Sequence, residues 1–239
     1  KENKISSSLN RNFFISFNGE IYNYRGLCKN FLPKFYLDKH LTDTKVLINL
    51  HEKINYKSIP DFLNGMYAYT IFDKKEDKLI IANDVQGEKS LYYSEDENFF
   101  IISSTINAIL KFKKSFELNT DPLKNYLLTR HFMSNKDTCY KGISVFKNGS
   151  INSYSLSKKK IFYSSYDNPF NWISEKKYNE YSKMDENEII ELLDLKLTEQ
   201  AKIMIPKIDF GCIVSGGIDS TLQSAIISKI KQPKNNLVI

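Results

Sequence analysis

Residues 210–222 read FGCIVSGGIDSTL, and this stretch decides how the C-terminal part of the chain folds. A short apolar run leads into Ser215-Gly216-Gly217, and helix-compatible sequence follows as far as Lys229. Glycines let a backbone approach an anion closely, and the first N–H groups of a helix are unpaired donors at the positive end of its dipole. The order strand, tight loop, helix therefore predicts a phosphate site.

The side chains of this loop narrow the prediction. Ser215, Ser220 and Thr221 add hydroxyl donors, whereas the Asp219 carboxylate would repel a polyphosphate unless a divalent cation lay between them. Mg²⁺ typically binds one or two carboxylates together with phosphate oxygens. No lysine follows the glycines, so the loop is not a GxxxxGK(S/T) P-loop. We interpret it as a Mg-nucleotide site; the alternative is a Gly-Gly turn in an ordinary strand–helix unit.

The composition predicts a globular protein. The 239 residues suffice for one large domain or two ordinary ones, and 41% apolar content supports a real core. The net charge of +6 is dominated by lysine, with arginine only at Arg11, Arg25 and Arg130. Dispersed lysines favour a solvated surface over a nucleic-acid interface, so we predict no nucleic-acid partner.

Cysteine usage and hydropathy predict a cytoplasmic protein without a membrane partner. Cys28, Cys139 and Cys212 form no CxxC pattern, and no apolar run approaches the roughly 18 residues that a membrane helix needs. The chain begins at Lys1 and stops in the apolar run 237–239, which suggests a fragment.

The N-terminal half begins with a predicted strand. Residues 12–17 (NFFISF) are aromatic and β-branched, and Asn18-Gly19 is a strong turn signal. The turn would place Asn18, Gly19 and Glu20 at a sheet edge, ahead of a short helix from Ile21. Thr42 is a good N-cap for a second helix. Asp43 would then either favour that helix's dipole or bind a ligand.

The rest of the chain separates into three segments. Residues 62–154 carry a hairpin at 67–82 and further short strands and helices, so the first domain is predicted to span 1–154. In residues 155–184 the apolar side chains show no sustained helical or strand periodicity, so this segment is predicted to be a linker. Asp185 and Glu188 resemble a capping box, Pro206 ends the helix that follows, and residues 185–239 then read as the start of a doubly wound α/β domain.

Five segments in order carry a family resemblance: FNGEIYNYRGL (17–27), LTDTKVL (41–47), LNGMYAYTIFD (63–73), NDVQGEKSLYY (83–93) and SGGIDS (215–220). Together they closely resemble glutamine-hydrolysing asparagine synthetases. The resemblance implies an α+β N-terminal-nucleophile (class-II glutamine amidotransferase) sandwich, followed by the start of a doubly wound α/β ATP-pyrophosphatase domain. It covers nearly the whole chain.

The resemblance also implies roles for individual residues. Asn18 and Gly19 match the oxyanion-hole pair, and with Glu20 and Asp43, which match the acids for the α-amino group, they would bind glutamine. Asp219 matches the position associated with Mg²⁺. The loop that binds ATP and then pyrophosphate corresponds to Val214, Ser215, Gly216, Gly217, Ile218, Asp219 and Ser220.

The implied activity is that of a carbon–nitrogen ligase. Glutamine would be hydrolysed to glutamate and ammonia, and the ammonia would attack β-aspartyl-AMP made from aspartate and ATP. The ligands implied are glutamine, aspartate, ATP and Mg²⁺, and a homodimer is compatible with the family.

The sequence departs from the family at several points. The family's N-terminal nucleophilic cysteine and its arginine-bearing segment are absent, and Cys28 lies within a predicted helix. Asn83 and Ser90 replace the usual arginine and proline. We therefore expect this polypeptide to be inactive alone. Two alternatives remain: a β-lactam-synthetase-like ligase without glutaminase activity, which has no physical need for the glutamine-binding positions, and a non-catalytic remnant or regulatory subunit.

Overall fold

The computed structural model of the protein describes residues 6–132, 136–166, 173–206, 208–231 and 235–238. The chain divides into two compact units, Lys1–Pro169 and Phe170–Ile239. Each unit has its own sheet structure, and they are described in turn.

The first unit is built on an antiparallel six-stranded sheet. Its strand order is β1-β2-β3-β4-β8-β9. The strands are β1 (Ser6–Ser7), β2 (Phe13–Ile21), β3 (Gly65–Asp73), β4 (Lys78–Asn83), β8 (Ile151–Ser155) and β9 (Lys160–Phe162). The predicted hairpin is confirmed by the pairing of β3 with β4, which runs from Asp73↔Lys78 to Ala68↔Asn83.

A second, three-stranded sheet has the order β6-β5-β7 and is also antiparallel. Its strands are β5 (Tyr92–Glu95), β6 (Phe100–Ser103) and β7 (Ser144–Val145). An apolar cluster fills the space between the sheets, with Ala68 and Ile81 from the large sheet and Phe100 and Ile102 from the small one. The two sheets therefore form a sandwich, as the family resemblance implies for this part of the chain.

Helices cover the outer faces of the sandwich. The helices of this unit are α1 (Tyr24–Phe31), α2 (Asp43–Leu50), α3 (Ile106–Lys113) and α4 (Thr120–Thr129), with 3-10 turns at Pro33–Phe35, Tyr56–Ser58 and Pro60–Phe62. Residues of α1 and α2 pack on the large sheet in one core that includes Leu27, Leu47 and Tyr69. On the small sheet, Lys113 of α3 donates to the Ser94 hydroxyl at 3.0 Å, on the face opposite Tyr93. The layers are thus helix, sheet, sheet, helix.

The turn predicted at Asn18-Gly19 is wrong. β2 continues through both residues to Ile21 and pairs with β3 along its whole length. Gly19 makes this possible, because a Cβ there would lie 2.1 Å from the Met66 carbonyl oxygen and the residue has φ +146°. A glycine is therefore required here because two strands approach each other closely, and the chain does not reverse its direction at this point.

The predicted linker contains regular structure. Within it, β9 extends the large sheet by pairing with β8, and α5 (Glu175–Tyr181) precedes the next helix. Residues 167–172 of the linker lie outside the described residues. The domain limits at 154 and 184 remain predictions.

The second unit contains a strand–helix–strand element. After α6 (Glu186–Met204) come β10 (Gly211–Val214), α7 (Ile218–Ile230) and β11 (Asn235–Val238), and the two strands are parallel. The predicted capping box is confirmed, since Glu188 N donates to the Asp185 carboxylate and Asp185 N to the Glu188 carboxylate. Among residues 173–231 that the structure describes, Ile226 is the only buried hydrophobic side chain.

Candidate functional site

The four residues predicted to bind glutamine lie at one end of β2. Asn18, Gly19 and Glu20 are consecutive on the strand, and the Asp43 carboxylate accepts a hydrogen bond from the N–H of Ile21, the next residue, at 3.2 Å. The structure thus brings the four positions together, although the expected turn is absent.

The backbone N–H of Gly19 faces the side of β2 opposite β3. Tyr67, which lies opposite Gly19, donates its N–H to the Asp84 carboxylate at 3.2 Å and accepts from Asp84 N at 2.8 Å. Both groups of Tyr67 therefore face β4, and Gly19–Tyr67 is a non-hydrogen-bonded pair of the antiparallel ladder. The Gly19 N–H must then face the outer edge of β2. Within the described residues, which begin at Ser6, β1 pairs with that edge at Phe14 and Ile15.

The Asn18 side chain lies on the face between the two sheets. It is exposed, and with Ser16 and Thr70 it lines a cavity of about 230 Å³ that also contacts Phe100 and Ile102 of the small sheet. Side chains alternate along a strand, so Glu20 lies on the same face as Asn18. Two adjacent residues beside a cavity therefore offer hydrogen-bond donors, Asn18 with its side-chain amide and Gly19 with its backbone N–H.

Asp43 connects α2 to β2. Thr42 caps the helix as predicted, its hydroxyl accepting from Lys45 N at 3.2 Å. One Asp43 oxygen accepts from Thr44 N at 2.6 Å while the other holds Ile21 N. The Thr44 hydroxyl also donates to the first oxygen at 3.3 Å. A carboxylate has about four acceptor sites, so these three bonds leave room for one bond from an ammonium group. The structure therefore supports a structural role for Asp43 and is compatible with a binding role.

The residue after β2 senses negative charge. Burial, followed by the charges of Glu88, Glu20 and Asp84, raises the pKa of the Tyr22 phenol. This negative potential favours a cationic group such as an amino-acid ammonium.

Sequence reasoning missed Asp84. The NDVQGEKSLYY segment was assigned no site residue, yet Asp84 is 4% exposed and its carboxylate accepts from the N–H groups of Tyr67, Glu88 and Lys89 at 3.0–3.2 Å. The sequence signal that could have found Asp84 is a carboxylate directly after an apolar strand. A charge buried at such a position needs several hydrogen-bond partners and so organises the backbone around it.

The loop at residues 215–220 joins β10 to α7. Gly217 is the N-cap of α7 and no side chain caps the helix, while Gly216 has φ +77° and open space where a Cβ would lie. Ser215 and Ser220 hydroxyls are 3.0 Å apart, and Asp219 is exposed in the first turn. A helix N-terminus without a side-chain cap and an uncrowded glycine fit a phosphate, and one carboxylate fits a Mg²⁺ whose other ligands are phosphate oxygens.

Three further observations concern the described residues. Cys28 is fully buried in α1, its thiol lies 3.5 Å from the Leu32 carbonyl, and burial raises the pKa of the thiol, so it does not serve as a nucleophile. In the described part of the chain, no group of three or more His, Cys, Asp or Glu side chains is arranged to hold a metal ion. None of the described helices is long and apolar enough to cross a membrane.

The first unit is thus an antiparallel two-sheet sandwich with the Asn18 amide and the Gly19 N–H at the end of one strand. A family model for a glutamine amidotransferase domain matches residues 5–202. Since this is most of the chain, the protein belongs to the glutamine amidotransferase domain family.

Curated relatives carry a more specific name. The chain is 32% identical over 213 residues to "Putative asparagine synthetase (glutamine-hydrolyzing) 2" of Methanocaldococcus jannaschii, covering 87% of this chain and 38% of that protein. It is 25% identical to the asparagine synthetase (glutamine-hydrolyzing) of Gallus gallus, covering 93% of this chain and 37% of that protein. The chain thus spans less than two fifths of the length of these relatives.

A solved structure also resembles the chain. The glutamine phosphoribosylpyrophosphate amidotransferase of B. subtilis, complexed with ADP and GMP, matches with a TM-score of 0.49 at 14% identity and covers 99% of this chain and 48% of that chain.

Proposed function

We propose that the chain provides the glutamine site of an ATP-dependent asparagine synthetase, together with the first part of its ATP site. The observation that carries the proposal is the outward direction of the Gly19 N–H, beside the Asn18 amide. A tetrahedral intermediate formed from an amide carries an oxyanion, and two adjacent donors of this kind stabilise it; losing one such donor typically costs about 100-fold or more in rate.

The surrounding charges support glutamine as the ligand. Glu20 and Asp43 carboxylates at the end of β2 would bind the α-ammonium group, while the Asn18 amide and the Gly19 N–H bind the side-chain carbonyl. The names of the curated relatives include glutamine hydrolysis, which agrees with this assignment.

The loop at 215–220 supports the second half of the proposal. Its uncapped helix N-terminus would bind the phosphates of ATP, and Asp219 would bind Mg²⁺, which neutralises phosphate charge. The whole reaction we propose is glutamine hydrolysis, transfer of the ammonia, and its attack on β-aspartyl-AMP formed from aspartate and ATP in the cytoplasm.

Calorimetry with L-glutamine tests the first half. We expect saturable binding by the chain and about fivefold to tenfold weaker binding by Asn18→Ala, the loss of one hydrogen bond of about 1 to 1.4 kcal/mol. Asn98→Ala is the matched control, because Asn98 is exposed in the β5–β6 turn. Absence of saturable glutamine binding would contradict the proposal.

Calorimetry with Mg-ATP tests the second half. We expect Asp219→Ala to weaken Mg-ATP binding, whereas Asp194→Ala, which removes an exposed acid of α6, leaves it unchanged. Equal effects of the two substitutions would count against a role for the loop.

A further inference from the structure

The Asp84 side chain replaces a missing backbone hydrogen bond between β3 and the end of β4. Regular pairing of β3 with β4 ends at Ala68↔Asn83, one residue before Tyr67 would pair with Asp84. Asp84 N still donates to the Tyr67 carbonyl at 2.8 Å, but the Asp84 carbonyl has turned away and accepts from Gly87 N and Gly149 N at 3.2 and 3.0 Å. The Asp84 carboxylate accepts the Tyr67 N–H at 3.2 Å in place of the Asp84 carbonyl.

The same carboxylate organises the loop that follows. It accepts Glu88 N at 3.0 Å and Lys89 N at 3.1 Å, so one buried side chain holds both the Tyr67 backbone opposite Gly19 and the loop of residues 85–89. Hydrogen bonds to a charged acceptor are the stronger class, and three donors meet this one group.

The position of the Tyr67 backbone, which Asp84 holds, in turn restricts the backbone of Gly19. A Cβ on Gly19 would lie 2.7 Å from the Tyr67 Cα, so the two backbones are in close contact. The direction of the Gly19 N–H depends on the Tyr67 N–H and carbonyl being held on the β4 side, where their described partner is Asp84.

We infer that Asp84 is a positioning residue for the glutamine site, acting through Tyr67 on the Gly19 N–H. This inference rests on the proposed function, and it assigns Asp84 no contact with the substrate.

The hairpin supplies its own control. Asp73, at the opposite end of β3, is 6% exposed, and its carboxylate accepts from Lys75 N and Glu76 N at 3.0 and 3.2 Å. Both aspartates are buried and both hold a turn, but only Asp84 is next to the residue opposite Gly19. Asparagine at either position keeps the size and leaves one oxygen to face the donors, with an NH₂ group in place of the other.

The test measures L-glutamine affinity and the amide resonance of Gly19 in ¹⁵N-labelled protein. We expect Asp84→Asn to bind glutamine at least tenfold more weakly and to shift the Gly19 resonance in the free protein. Asp73→Asn should lower the melting temperature without moving that resonance, and should bind within twofold of wild type. If Asp84→Asn does not fold, Asp84→Glu, which keeps the charge and moves the acceptor by one methylene, is measured with the same expectation.

The outcomes are distinguishable. If the wild type does not bind glutamine, the proposed function fails and the role of Asp84 fails with it. If the wild type binds and Asp84→Asn binds equally well, or if Asp73→Asn loses as much affinity, only the positioning role is overturned.

Discussion

The end of β2 and the loop at 215–220 both present backbone N–H groups, but they are supported differently. Ile21 and Tyr67, beside Gly19, are 1% and 3% exposed, whereas Ile213 and Ile218, which flank the loop, are 70% and 86% exposed. The geometry of the first site is therefore set by a packed core of the first unit. The second site is held mainly by local bonds among Ser215, Gly217 and Ser220.

The largest expected difference concerns Gly19 and Gly216, the glycine with positive φ at each site. Gly19→Ala places a Cβ 2.1 Å from the Met66 oxygen, so β2 and β3 must separate, and we expect a loss of about 4 kcal/mol or more in the free energy of unfolding. Gly216→Ala meets open space and bears only the strain of φ +77°, about 1 to 2 kcal/mol. Urea denaturation of both variants checks this; similar losses would remove the contrast between the sites.

Acid sensitivity should reside in the first unit. His51 is buried directly after α2, with 7% of its surface exposed, between Phe13 and Tyr69, and burial lowers its pKa from 6.5 to about 3. The unfolded chain therefore binds a proton between pH 6.5 and 3 that the folded chain does not, so stability is complete above pH 6.5 and falls as the pH is lowered toward 3. The 3.5-unit difference corresponds to at most about 5 kcal/mol.

His51→Phe should reduce this acid-induced loss, since the aromatic ring is kept and the titrating group is removed. Unfolding free energies at pH 7 and pH 4 are the measurement, with His40→Gln, at an exposed position, as the control. An unchanged pH dependence in His51→Phe would show that other groups cause the acid response.

A smaller difference is expected between core and surface aliphatic residues. Leu47 in α2 is fully buried under the large sheet, so Leu47→Ala should cost about 2 to 5 kcal/mol. Ile213→Ala on β10 should change stability by about 0.5 kcal/mol or less. Thermal unfolding checks both, and a large effect at Ile213 would mean that this residue is covered in solution.

Local signals in the sequence predicted much of this structure. Thr42 as an N-cap, the Asp185–Glu188 capping box and the β3–β4 hairpin are confirmed, because each depends on residues close together in the chain. The prediction of a turn at Asn18-Gly19 was wrong. Glycine is required at position 19 because the Met66 and Tyr67 backbones, about fifty residues away in the chain, lie in close contact with it. No local pattern distinguishes a glycine in a turn from one that lets strands approach.

The candidate site was predicted to a similar degree. The positions of Asn18, Gly19, Glu20 and Asp43 were found by resemblance, and the structure brings them to one end of β2. Asp84 was not found, because its role depends on a sheet rung that only the three-dimensional pairing reveals. The roles of all these residues in binding remain predictions.

The most direct measurement is a pair of titrations of ¹⁵N-labelled protein, one with L-glutamine and one with Mg-ATP. We predict that glutamine shifts the Gly19 amide resonance saturably and leaves Gly216 and Gly217 unchanged, while Mg-ATP does the reverse. A saturable glutamine response that leaves the Gly19 amide unmoved, or no response at all, would contradict the claim that the edge of β2 is the glutamine site.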